Sequence, residues 1–170
     1  MRSFGKKVSA IALLSAAIFV SVSPAHATAS STKSASLPNG SILTVSKTIG
    51  IKSGEKITVT GQHFDETVGI YVAMCKVVPK GQLPTPCGGG ADKTGASGSS
   101  LWISSNPPAY GVGLADPYLP GGRFSYAIKF SPMIGKVDCR KVACAIYVRA
   151  DHTRGDDRSY DIKVPISFAK

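Results

Sequence analysis

The side chains able to do covalent or ligating chemistry are few. Four cysteines stand at Cys75, Cys87, Cys139 and Cys144, spaced twelve and five apart within the two nearer pairs. Four cysteines allow three pairings. The simplest joins Cys75 to Cys87 and Cys139 to Cys144, each closing a hairpin or a strand-to-strand turn. A zinc site is the rival use, but zinc ligands usually recur at shorter C-x-x-C spacings, and no metal site is expected. The run Asp151-His152-Thr153-Arg154-Gly155-Asp156-Asp157 gathers carboxylates and an imidazole. Its spacing matches no calcium loop, and it reads as a solvated hairpin loop. No G-x-S-x-G nucleophile motif occurs, and beyond the first 27 residues only His63 and His152 remain as imidazole bases. The inventory points to binding rather than catalysis, so the protein reads as a non-enzyme.

The cysteines are consistent with export. Arg2, Lys6 and Lys7 precede an uncharged apolar run from Val8 to Val22, and Ala25-His26-Ala27 ends it. This is the form of a secretory signal peptide over residues 1–27, removed in an oxidising route that favours disulfides. The apolar run is too short to span a bilayer, which needs roughly 20 residues, so no transmembrane anchor is expected. Three of the 20 Lys and Arg fall in that segment, which leaves 17 against 10 acidic residues, a balance of +7. The basic residues are scattered singly, as suits solubility, and they also favour anionic partners.

The elements that position these residues follow period two. Residues 28–40 are rich in Ser, Ala and Thr and read as a flexible leader, with the compact domain at 41–170. Ile57 and Val59 share one face of a strand; Ile70, Val72 and Met74 share a face of the next, opposite Tyr71, Ala73 and Cys75. Residues 123–130 form another strand, residues 144–149 put Ile146 and Val148 inward, and residues 160–168 close the domain. Pro165 cannot donate to a ladder, which places that last strand at a sheet edge. Residues 88–120, rich in Gly, Ser and Pro, read as one long loop with Leu101-Trp102-Ile103 as a short strand inside it. Six or more short strands with turn signals between them predict an all-β sandwich.

Two segments carry a resemblance. Asp138-Cys139 with Cys144 five residues on, an alternating strand after it, and the terminal Val164-Pro165-Ile166-Ser167-Phe168 resemble the apoproteins of the enediyne chromoproteins, the neocarzinostatin family. Thr58-Val59-Thr60-Gly61, a loop, and a strand ending at Cys75 with Cys87 beyond it are similar in order. The resemblance runs over residues 41–168, excluding most of 88–120. It implies an immunoglobulin-like antiparallel β-sandwich of about seven strands with two local disulfides and a cleft that holds a non-covalent enediyne chromophore, with no other cofactor. It implies a carrier whose chromophore cleaves DNA, so that DNA is reached indirectly. Where the family often has Trp two residues after its first cysteine this chain has Val77, where it has Gln directly after the last cysteine this chain has Ala145, and where small residues come next on that face it has Tyr147 and Arg149.

The cleft floor is therefore expected from Ala73, Cys75, Val77, Cys87, Ala145, Tyr147 and Arg149, with Trp102, Tyr110 or Tyr118 supplying a wall or lid. An apolar cleft with a few polar groups suits a hydrophobic small molecule. The second reading is a secreted or cell-surface interaction module. It would meet a protein or an anionic envelope polymer through residues 88–120.

Overall fold

The structure is a computed structural model of the full chain, and it describes residues 31–89 and 99–170. The expected signal peptide lies outside the described residues. Ten strands are present among those described: β1 (Lys33–Ser36), β2 (Ile42–Val45), β3 (Lys56–Gln62), β4 (Ile70–Lys76), β5 (Ser100–Ile103), β6 (Phe124–Lys129), β7 (Met133–Ile134), β8 (Val137–Asp138), β9 (Cys144–Ala150) and β10 (Ile162–Ile166). One four-stranded sheet has the order β1-β2-β3-β6 and the other β10-β9-β4-β5, and every pairing within both is antiparallel. Consecutive strands thus cross repeatedly from one sheet to the other, as in an immunoglobulin-like sandwich.

Alternation decides which side chains meet between the sheets. Ile57 and Val59 of β3 and Ile128 of β6 face Ile70, Val72 and Met74 of β4 and Ile146 and Val148 of β9, all almost fully buried in one continuous core. Burying each such aliphatic side chain contributes about 2 kcal/mol. Pro165 sits on β10, which lies at the edge of its sheet, so its missing N–H costs no ladder bond.

One expectation about boundaries changes. The presumed leader at 28–40 holds β1, which pairs with β2 from Lys33↔Val45 to Ser36↔Ile42, so the sandwich begins before Ser41. Its polar composition hid it because an exposed edge strand needs only a backbone ladder, here reinforced by a 2.7 Å hydroxyl contact between Ser34 and Thr44. The short strand expected at 101–103 within the loop read at 88–120 is present as β5, and residues 90–98 lie outside the described residues. Beyond β5 the chain is tied back, with Ser104 N–H donating to Asp116 O at 2.8 Å and Asp116 N–H to Trp102 O at 2.9 Å.

Both local disulfides are formed, Cys75–Cys87 and Cys139–Cys144. The first holds the segment after β4 against the sheet; the second ties β9 to the short turn after β8. Loop-closure entropy scales with the enclosed chain. Replacing Cys75 and Cys87 together by Ala is expected to cost about 3 kcal/mol, and replacing Cys139 and Cys144 about 2 kcal/mol. Urea unfolding of the two double variants measures the order; a larger loss from the shorter loop would overturn the entropic account.

Candidate functional site

Directly paired residues of an antiparallel sheet share a face. The side of β10-β9-β4-β5 turned away from the core is therefore built in rows: Trp102, Tyr71 and Arg149; Ser100, Ala73, Tyr147 and Lys163; Cys75, Ala145 and Pro165. Ala73, Cys75, Ala145 and Tyr147 form a second buried cluster, with Val77 and the half-buried Cys87 packed on it. Six of the seven residues expected on the cleft floor thus come together. The seventh, Arg149, lies one row away on the same face, in the row of Tyr71 and Trp102.

Trp102 is a strand residue, not part of a lid. Its indole N–H donates to Asp151 Oδ2 at 2.9 Å, and both residues are buried. Tyr71 lies beside it at 6.1 Å between rings, and the Arg149 guanidinium sits over the Tyr71 ring at 5.2 Å. Burial, followed by the charge of Arg158, holds the Arg149 guanidinium below its ordinary value. His152 completes this end. Its Nδ1 meets the Tyr71 hydroxyl, and its Nε2 meets the Tyr110 hydroxyl at 2.5 Å. Tyr110, on the 3₁₀ turn Ala109–Gly111, is otherwise exposed. Tyr118 is a core residue: its hydroxyl donates to Val68 O at 3.0 Å, and burial pushes its phenol up.

An opening lies on the Tyr147 side of the face. A cavity of about 440 Å³ is lined by residues 78–82, from Val78 to Gln82, and by Tyr147, Arg158, Asp161 and Lys163. Of the expected site residues it reaches Tyr147 alone. The Lys163 ammonium stands 5.9 Å from the centre of the Tyr147 ring. Arg158 Nη1 donates to Asp161 Oδ2 at 3.2 Å and Arg158 Nη2 to Gly155 O at 2.6 Å. Burial raises the Asp161 carboxyl above its ordinary value, against the lowering effect of Arg158 and Arg149. Arg158 and Asp161 escaped the sequence reading because they sit in the return loop between β9 and β10. The alternation of Ile162, Lys163 and Val164 was the one signal that put Lys163 on the outer face.

Among the described residues no group of three or more His, Cys, Asp or Glu side chains is placed to hold a metal ion, and no helix is long and apolar enough to cross a membrane. The sandwich and its outer face define a scaffold of two four-stranded sheets with a cavity at one sheet edge. Its strands superimpose in part on solved structures. Macromomycin is 17% identical, with a TM-score of 0.48, over 76% of this chain and 100% of that one. Apokedarcidin, known as a solution conformation, is 16% identical, with a TM-score of 0.41, over 81% of this chain and 98% of that one. No family model and no curated protein matches the chain.

Proposed function

We propose that this chain is a secreted, non-enzymatic binding protein that carries a hydrophobic small molecule in the cavity beside Tyr147. The observation that carries the reading is the cavity itself, about 440 Å³ with Val78, Pro79 and the Tyr147 ring among its walls. That volume lies within the range of small-molecule sites, roughly 300–1,000 Å³, which bury most of a drug-sized ligand. The buried cluster of Ala73, Cys75 and Ala145 gives the cavity a rigid neighbour, and the Cys75–Cys87 bridge anchors the segment that supplies residues 78–82. Export is supported by the basic, apolar and Ala-His-Ala sequence of residues 1–27 and by two disulfides, which persist in oxidising compartments. The sequence resemblance to the neocarzinostatin family makes a DNA-cleaving enediyne chromophore the specific ligand to look for, with DNA reached through it.

The test is native mass spectrometry with an absorbance spectrum on protein taken from its own producing culture. A retained small mass absorbing beyond the tyrosine and tryptophan bands is expected, and Tyr147→Ala is expected to release it. Retention unchanged in Tyr147→Ala would remove this cavity as the site.

A second reading, an interaction module for a protein partner, is favoured by one observation. Tyr110, Val112 and Leu114 follow one another at alternate positions and are 61%, 72% and 37% exposed. A bare mass from the producing culture would favour this reading over the carrier.

A further inference from the structure

We infer that the ligand of the Tyr147 cavity carries an oxyanion on its apolar body, held between Arg158, Lys163 and Lys80. The inference rests on the carrier reading and specifies its ligand. Three lining residues are cationic, Lys80, Arg158 and Lys163, against the single acidic Asp161. Arg149 adds a further positive charge near Arg158, whose charge, after burial, holds the Arg149 guanidinium below its ordinary value. The cavity wall is thus positive by two charges before Arg149 is counted. Such an excess within partly desolvated walls selects an anionic group and disfavours a cationic one.

The second observation concerns hydrogen bonds. Three buried side-chain atoms lack a partner among the described residues: Tyr147 Oη, Arg158 Nε and Asp161 Oδ1. All three belong to residues that line this one cavity. Buried polar groups are ordinarily paired, so three orphans at one cavity mark a place where partners arrive from outside the chain. Their chemistry is specific. Arg158 Nε–H can only donate, and it adds to Lys163 and Lys80 as a donor for an oxyanion. Asp161 Oδ1 can accept from a ligand hydroxyl or amide, and Tyr147 Oη can do either. The Arg158–Asp161 pair already present fixes both side chains, so the ligand meets a preformed site rather than ordering one.

Two dyes with one aromatic body separate charge from shape: anilinonaphthalene sulfonate, which is anionic, and phenylnaphthylamine, which is neutral. Fluorescence titration of the disulfide-intact protein is expected to show the sulfonate binding about tenfold more tightly, with the advantage shrinking as salt is raised. Lys80→Met with Lys163→Met, both exposed lysines whose loss spares the core, is expected to bring the two dyes to equal affinity. Arg158→Lys, which keeps the charge and removes Nε, is expected to weaken the sulfonate alone. Equal affinities in the unaltered protein, both lost in Tyr147→Ala, would overturn the oxyanion and leave the carrier standing. No binding of either dye would overturn both.

Discussion

Replacing Asp151 by Ala is expected to cost about 4 kcal/mol of stability and to loosen one end of the outer face. The residue is only 1% exposed, and one carboxyl serves three donors. Oδ2 accepts from the Trp102 indole N–H at 2.9 Å, while Oδ1 accepts from the Thr153 N–H at 2.9 Å and the Thr153 hydroxyl at 2.6 Å. The Thr153 groups are exposed and can turn to water, so their loss is that of a helix-cap interaction, about 1 kcal/mol. Trp102 has no such recourse. It is buried, and an unpaired indole N–H there costs about 1–3 kcal/mol. The remainder comes from the void beside Gly69, whose missing side chain is what admits the carboxyl so closely. Trp102 is the one tryptophan in the chain, so its emission and near-ultraviolet dichroism report this site without ambiguity. The expected result is a red-shifted emission and a melting temperature about 10 °C lower. A loss under about 1 kcal/mol with an unchanged tryptophan spectrum would show that the carboxyl is not the anchor. Asp151→Asn keeps one acceptor oxygen and should fall between the two.

Asp151 also shows where a sequence stops being legible. Within 151–157 it reads as one more polar loop residue, because nothing local separates a solvated aspartate from one buried under a tryptophan 49 positions away. The faces of β4 and β9 were legible, since strict alternation must put Ile70, Val72 and Met74 on one side and Tyr71, Ala73 and Cys75 on the other. So was the edge position of β10, because Pro165 removes a donor. The strand β1 was not, since an exposed edge carries no hydrophobic period. The cavity was legible only at Tyr147. Its other charged walls come from the segment after β4, the return loop and the edge strand, and the meeting of the last with Tyr147 is a product of register, Lys163 opposite Tyr147, rather than of spacing. Tyr118 sits in a Gly- and Pro-rich stretch, yet its ring is drawn into the core because the chain there is pinned by the Leu119–Arg123 pairing.

That pairing ends on two glycines whose roles differ, and the difference gives the largest effect expected in the molecule. Gly121 and Gly122 both have positive φ, +82° and +61°, and both N–H groups donate to Glu66 Oε1, at 2.9 and 2.8 Å. At Gly121 a methyl group would meet nothing within 4 Å, so Gly121→Ala faces only the left-handed backbone penalty, about 1–2 kcal/mol. At Gly122 the added carbon would stand 1.9 Å from Phe64 O and 2.6 Å from Phe64 N, both backbone atoms. No rotamer change relieves that contact. Phe64 N–H itself donates to Gly122 O at 3.1 Å, so moving either segment breaks the bond that holds them together. Phe64 packs on Phe124 at 5.4 Å between rings, and displacing it opens the core where the two sheets meet. Gly122→Ala is therefore expected to lose more than about 4 kcal/mol, enough to leave little folded protein at ambient temperature, while its neighbour's variant folds. Parallel urea unfolding of the two variants decides it. Similar midpoints would mean that the backbone at Phe64 gives way, and that the close approach of these two segments is not what fixes the entry into β6.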